Sequence, residues 1–219
     1  MEFVTDTEHP VSIPCQKIQL DGLLHIPAGA KGMVIFVHGS GSSRFSPRNQ
    51  FVARTLQEAK LATLLFDLLT PEEDETDNVT MQFRFDIDLL AERLLQTAKW
   101  VSEHPMLRDF SLGYFGSSTG GGAALVAAAS KPSLIKAVVS RGGRPDLAAD
   151  SLPHVKAATL LIVGGQDDEV IKLNQSALAR LTCTKDLDII PGATHLFEEP
   201  GKLAIVASKA AAWFVKYLK

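Results

Sequence analysis

Apolar residues along this chain fall into two alternating kinds of segment. Continuous runs at Gly32–Val37, Ala62–Leu69, Phe110–Phe115, Ala137–Ser140, Thr159–Val163 and Leu187–Ile190 are short enough for strands and lack the polar alternation of a half-exposed sheet. They read as buried strands of a mostly parallel sheet. Between them lie segments with helical spacing, predicted at 47–60, 85–103, 119–129, 170–181 and 202–218. In the second, Ile87, Leu90, Leu94, Ala98 and Val101 recur every three or four residues; in the last, Leu203, Val206, Ala210, Phe214 and Leu218 do so. Trp213 and Phe214 therefore read as core packing rather than as a ligand platform. Strand and helix alternating throughout predicts helices on both faces of the sheet.

The beginning differs. Cys15–Leu20, then Asp21-Gly22, then Leu23–Ile26 predicts a β-hairpin with a type I′ turn. The acidic run Glu72-Glu73-Asp74-Glu75-Thr76-Asp77 lacks the glycine and closing glutamate of a calcium loop and reads as a solvated, mobile loop. No repeat or linker divides the chain, so residues 1–219 are expected to form a single domain.

Charge and composition narrow the class. A net charge of −3 and a pI near 6.1 give no basic surplus to displace counterions from a phosphate backbone, so no nucleic acid partner is expected. The opening residues Met1 to Asp6 carry acid where a secretory signal carries base. The longest near-apolar stretch, Gly120–Ala129, is about half of the ~20 residues needed to cross a bilayer. Cys15 and Cys183, far apart, suggest neither a disulfide framework nor a zinc site. The expectation is a cytoplasmic protein with no membrane partner; a homo-oligomer is left open.

The chemistry concentrates where strands end. Gly116-Ser117-Ser118-Thr119-Gly120 follows the strand at 110–115 and opens onto a small-residue helix. This is a strand–turn–helix elbow whose apical serine is held in a strained conformation, with room for only glycine two positions to either side. Ser118 fits that register, whereas centring on Ser117 puts Phe115 and Thr119 at the glycine positions. Downstream, the strand at 159–163 breaks at Gly164-Gly165-Gln166-Asp167-Asp168-Glu169, and the strand at 187–190 ends in Pro191-Gly192-Ala193-Thr194-His195. A serine hydroxyl needs a base, and that base needs a carboxylate to fix its tautomer. His195 fits the first role and one of Asp167, Asp168 or Glu169 the second. Backbone N–H groups of Thr119 and Ser40, with Gly41 next, are candidates for stabilising an oxyanion. Gly39-Ser40-Gly41 is half of a dinucleotide fingerprint, but its third glycine position holds Arg44, so no nucleotide cofactor is implied.

Together, the HGSGSS loop at 38–43, the GSSTGG elbow at 116–121, GGQDDEV at 164–170 and GATHLFEEPG at 192–201 resemble the α/β-hydrolases of the dienelactone-hydrolase-like group. The resemblance implies an α/β-hydrolase fold with a twisted, mostly parallel sheet of about seven or eight strands. It also implies a Ser-His-Asp ester hydrolase needing no metal or organic cofactor. It selects Asp167 over Asp168, because Val170 follows three positions later. Dienelactone hydrolases proper carry cysteine at the apex, where this chain has Ser118; that departure favours ester, lactone or thioester cleavage over the family's specific substrate. About eighteen residues separate the strands ending near Ser140 and starting near Thr159. That is short for a cap domain, so an open site for small soluble esters is expected. The alternatives are an inactive hydrolase-fold binding protein and an acyltransferase.

Arg44, Arg141 and Arg144 all follow strands at the same edge, where guanidinium groups can clamp a substrate carboxylate. The competing reading pairs them with acids such as Asp146 or Asp150. His38 reads as structural, holding the loop after the strand at 32–37. His9, His25, His104 and His154 show no partner pattern.

Overall fold

The continuous apolar runs form the centre of one sheet because both of its faces are covered. In the computed structural model, which describes residues 3–219, β3 (Gly32–Val37) shows why. Met33, Ile35 and Val37 point into one apolar cluster, and Val34 and Phe36 into the other. With period-two alternation and apolar layers on both sides, every residue of such a strand is buried. Met1 and Glu2, part of the acidic start, lie outside the described residues.

Among the described residues, the sheet has eight strands in the order β1-β2-β4-β3-β5-β6-β7-β8. β1 (Glu8–Cys15), β2 (Ile18–His25) and β4 (Leu61–Phe66) are joined by antiparallel pairings; from β4 through β3, β5 (Ser111–Ser117), β6 (Ile135–Arg141), β7 (Ala158–Gly164) and β8 (Lys185–Ile190) the ladder is parallel. Helices α3 (Ile87–Glu103), α4 (Thr119–Ser130) and α5 (Asp168–Arg180) supply Leu94, Leu125 and Ala177 to one cluster. Helices α1 (Pro47–Glu58) and α6 (Lys202–Tyr217) supply Leu56 and Phe214 to the other. This is the open α/β-hydrolase architecture. Between β6 and β7 lie only two short 3-10 turns, and the described residues contain no cap domain. Among the described residues, no helix is long and apolar enough to cross a membrane.

The order reverses beside β3. The chain leaves β3 toward β4 on one side and later returns to β5 on the other. Such a switch point opens a crevice at the carboxyl ends of the strands, and the loops after β3 and β5 border it.

Two local expectations are corrected. The hairpin turns at Gln16-Lys17, with Gln16 at φ 54°, and not at Asp21-Gly22. Asp21 and Gly22 lie within β2, opposite Ser12 and Val11. The alternation decides this: Val11, Ile13 and Cys15 on β1 and Leu20 and Leu24 on β2 are buried together, which a turn at 21–22 would break.

The acidic run is a helix, α2 (Pro71–Thr80), and not a mobile loop. Thr70 caps it by accepting from the Glu73 N–H at 3.3 Å, and Glu73 accepts from the Thr70 N–H at 2.9 Å. This reciprocal box, Pro71 in the first turn and the acids Glu72, Glu73 and Asp74 beside the positive helix end together stabilise the start. The Glu73 carboxylate also receives the buried Arg93 guanidinium of α3 at 2.6 and 2.7 Å, tying α2 down.

Thr70→Ala should therefore cost about 1 kcal/mol of stability, as loss of an N-cap does. Glu73→Ala should cost more, because it also removes the carboxylate facing Arg93. Urea unfolding midpoints of the two variants test the order.

Candidate active site

The elbow after β5 places Ser118 at φ 52°, ψ −121°, a conformation that a residue with a side chain holds only under strain. Its backbone is fixed on every side. The Ser118 N–H donates to the Arg141 carbonyl at 3.1 Å, and its own carbonyl accepts from Gly121 at 2.9 Å and Arg144 at 3.0 Å. Glycine is required on both flanks by proximity. A Cβ at Gly116 would lie 2.6 Å from the Gly120 carbonyl oxygen, and one at Gly120 would run into the carbonyl oxygens of Val37 and His38. The second contact joins the elbow to the loop after β3.

His195 follows β8, and its Nδ1 donates to Asp167 Oδ2 at 2.7 Å. Of the three acids left open by spacing, the fold brings Asp167 to the histidine; Asp168 begins helix α5. In the neutral ring with Nδ1 donating, Nε2 is an acceptor. His195 and Ser118 line one cavity of about 210 Å³ together with Gly39, Ser40, Ser42, Ser46, Arg48, Asn49, Ser117, Arg141 and Leu196.

Of the two donors proposed for an oxyanion, Ser40 is more tightly engaged than the sequence suggests. Thr119 is the first residue of α4, where an N–H has no carbonyl in the preceding turn to bond. The Ser40 N–H donates to Thr119 Oγ1 at 3.0 Å. The Ser40 hydroxyl is 3.0 Å from the same oxygen and donates to the Arg84 carbonyl at 3.3 Å. Arg84 is held in turn by Asp77, a buried carboxylate at the end of α2 that accepts from the N–H groups of Phe83 and Arg84 and from Arg84 Nε. α2, read from sequence as solvent-facing, thus braces the loop after β3.

His38 is structural, as expected. Its Nε2 accepts from the Leu68 N–H at 3.0 Å, which requires Nδ1 to carry the proton it donates to the Gly39 carbonyl at 2.9 Å. Burial holds its pKa below the ordinary value, outweighing the bond to Gly39 and the charge of Asp67.

The three arginines separate. Arg44 is turned to Asp67, which receives its backbone N–H at 2.6 Å and its guanidinium, and to Asp21 at 3.5 Å. Arg144 forms a bidentate pair with Asp146, at 2.9 and 2.7 Å. Neither lines the cavity, which corrects their assignment as a substrate clamp. Arg141 does line it. Burial, with the nearby charge of Arg48, pushes the Arg141 pKa down to about 10, still charged at neutral pH. Arg48 and Asn49, in the first turn of α1, also reach the cavity and were missed from sequence. The available signal was their place just after Ser46-Pro47, a helix start at the carboxyl edge of β3.

Among the described residues, no group of His, Cys, Asp and Glu is arranged to hold a metal ion.

Comparison with known proteins places this geometry. The sequence pattern of the dienelactone hydrolase family matches residues 20–216. A crystal structure of dienelactone hydrolase from Anabaena variabilis superposes with a TM-score of 0.96 at 58% identity, covering 97% of this chain and 99% of that one. A putative phosphoribosyl transferase of Mycobacterium tuberculosis is 52% identical over 212 residues, 96% of this chain but only 47% of the relative. The chain thus spans about half the length of the curated relatives it matches. An α/β serine hydrolase without a lid, from Xanthomonas campestris, shares the fold at a TM-score of 0.77 and 19% identity, covering 100% of this chain and 98% of that one.

Because His38 is held neutral, the unfolded chain binds a proton that the folded protein does not as pH falls below the ordinary histidine value of about 6.5. Its contribution to stability is complete above that value and is lost as pH falls toward the depressed folded value. The wild type should lose unfolding midpoint between about pH 7 and pH 5, and His38→Gln should flatten that part of the profile.

Proposed function

Because the chain belongs to the dienelactone hydrolase family, we propose that it is a serine hydrolase cleaving small carboxylic esters, lactones or thioesters through an acyl-enzyme on Ser118. The observation that carries this reading is the 2.7 Å bond from His195 to Asp167 at a cavity shared with a strained, apical serine. His195 Nε2 accepts the Ser118 hydroxyl proton as Oγ bonds to the substrate carbonyl carbon. The carbonyl oxygen takes the electron pair and is stabilised by the N–H groups of Thr119 and Ser40. For Ser40 this requires the Thr119 hydroxyl to give up the N–H it occupies. Collapse of the intermediate breaks the bond to the leaving oxygen or sulfur, which takes the proton from His195. Water then repeats the cycle: His195 accepts its proton, the hydroxide oxygen bonds to the acyl carbon, and the Ser118 Oγ leaves with that proton as the acid is released. Every proton and electron pair is returned, so the cycle needs no cofactor. Among the described residues no cap domain covers the cavity, which favours small soluble substrates.

A fluorophosphonate should label the wild type and not Ser118→Ala, and short nitrophenyl esters should be turned over by the wild type alone. Asp167→Asn should lower kcat by about 10³–10⁴-fold, since it destroys the tautomer that leaves Nε2 basic. Labelling that persists in Ser118→Ala would refute the assignment. Neither labelling nor turnover by the wild type would favour a binding protein of hydrolase fold. Product partition between water and an added alcohol separates hydrolase from acyltransferase.

A further inference from the structure

Burying a guanidinium without a partner is costly, and folded proteins ordinarily match a buried charge with an opposite one. Arg141 breaks that pattern. It is 6% exposed, its Nε has no hydrogen-bond partner, and the charge acting on it is the like charge of Arg48; its guanidinium carbon lies 5.9 Å from the centre of the Phe197 ring, a cation–π contact that supplies no counter-charge. Its position is not incidental: it ends β6 in register with Ser117, and its carbonyl holds the Ser118 N–H. Arg48 Nε is likewise buried without a partner. One terminal nitrogen of Arg48 meets Glu198 at 2.9 Å, but the Glu198 side chain is 62% exposed, so solvent screens most of that compensation.

Neutral donors surround the two cations. The Ser117 hydroxyl donates to Asn49 Oδ1 at 3.0 Å, which leaves the Asn49 amide nitrogen to donate elsewhere on the cavity wall. Ser42 and Ser46 also line the cavity, and the start of α1 adds its partial positive charge.

We propose that Arg141, Arg48 and Asn49 form a subsite for a phosphate group carried by the ester substrate. The proposal rests on the serine-hydrolase reading above and narrows its substrate class. A carboxylate offers two oxygens and a single charge, which one guanidinium fork satisfies, leaving the second cation uncompensated. A phosphate monoester offers three terminal oxygens and a charge near −2 at neutral pH, matching two guanidinium groups and the neutral donors beside them. Ser118 attacks the carbonyl carbon; the phosphate is bound intact and reacts with nothing.

The test uses nitrophenyl esters of equal acyl length ending in methyl, carboxylate or phosphonate. The phosphonate ester should exceed the methyl ester in kcat/KM by at least about tenfold, the equivalent of one charge-assisted hydrogen bond, and should also exceed the carboxylate ester. That ratio should fall toward one in Arg141→Gln and part of the way in Arg48→Gln. Because Arg141→Gln alters a buried side chain at the end of β6, Arg48→Gln and a calorimetric titration of the full chain with inorganic phosphate provide readouts independent of its folding. The wild type should bind phosphate, and Arg48→Gln should bind it more weakly. Cleavage of the methyl ester with no phosphonate preference overturns the subsite and leaves the hydrolase reading standing, as does a preference for carboxylate. A phosphonate preference and phosphate affinity both untouched by Arg48→Gln also overturn it. Phosphate binding that weakens in Arg48→Gln, with no ester cleaved, supports the subsite and sinks the hydrolase reading instead.

Discussion

The contact between the start of α4 and the end of β3 governs the rest of this site. With no side chain at Gly120, the helix backbone comes to rest against the carbonyl oxygens of Val37 and His38. That approach fixes where Ser118 stands relative to the loop at 38–43, and so how the Thr119 and Ser40 N–H groups are spaced. It also holds the serine in its strained conformation, because hydrogen bonds from Gly121 and Arg144 and to Arg141 remove every relaxed alternative. A methyl group at position 120 would separate these two loops before altering any reacting group.

Much of this was legible in the chain because the decisive signals are local. An elbow is a five-residue pattern, and an acid or histidine just past a strand is located by where the apolar run stops. Asp167, Asp168 and Glu169 were indistinguishable by spacing, and the resemblance singled out the residue that the fold brings to His195. The helix at 71–80 was hidden by its composition: six consecutive polar residues suggested solvent, while the Thr70–Glu73 box that starts it went unread. The Asp-Gly pair at 21–22 is a favourable turn dipeptide, but the burial alternation on either side outweighs it and carries β2 straight through the pair.

The arginines show where local reading stops. Arg44, Arg141 and Arg144 share the same sequence context, a strand end at the active edge. Their destinations depend on acids elsewhere: Asp67, twenty-three residues from Arg44, draws it away, and Asp146 holds Arg144. Arg141 differs only in having no such partner. Arg48 and Asn49 gave no motif at all, since the first turn of a helix is an ordinary place for polar residues.

The hydrogen bond from Ser40 to the Thr119 hydroxyl bears on selectivity between states of the same molecule. On the mechanism proposed above, this donor never waits empty; the protein supplies its own oxygen as a placeholder. A neutral ester carbonyl that displaces it exchanges one neutral hydrogen bond for another and gains little. A tetrahedral oxyanion gains a charge-assisted bond, about twice as strong. The placeholder therefore filters substrate from transition state, withholding binding energy from the first and releasing it to the second.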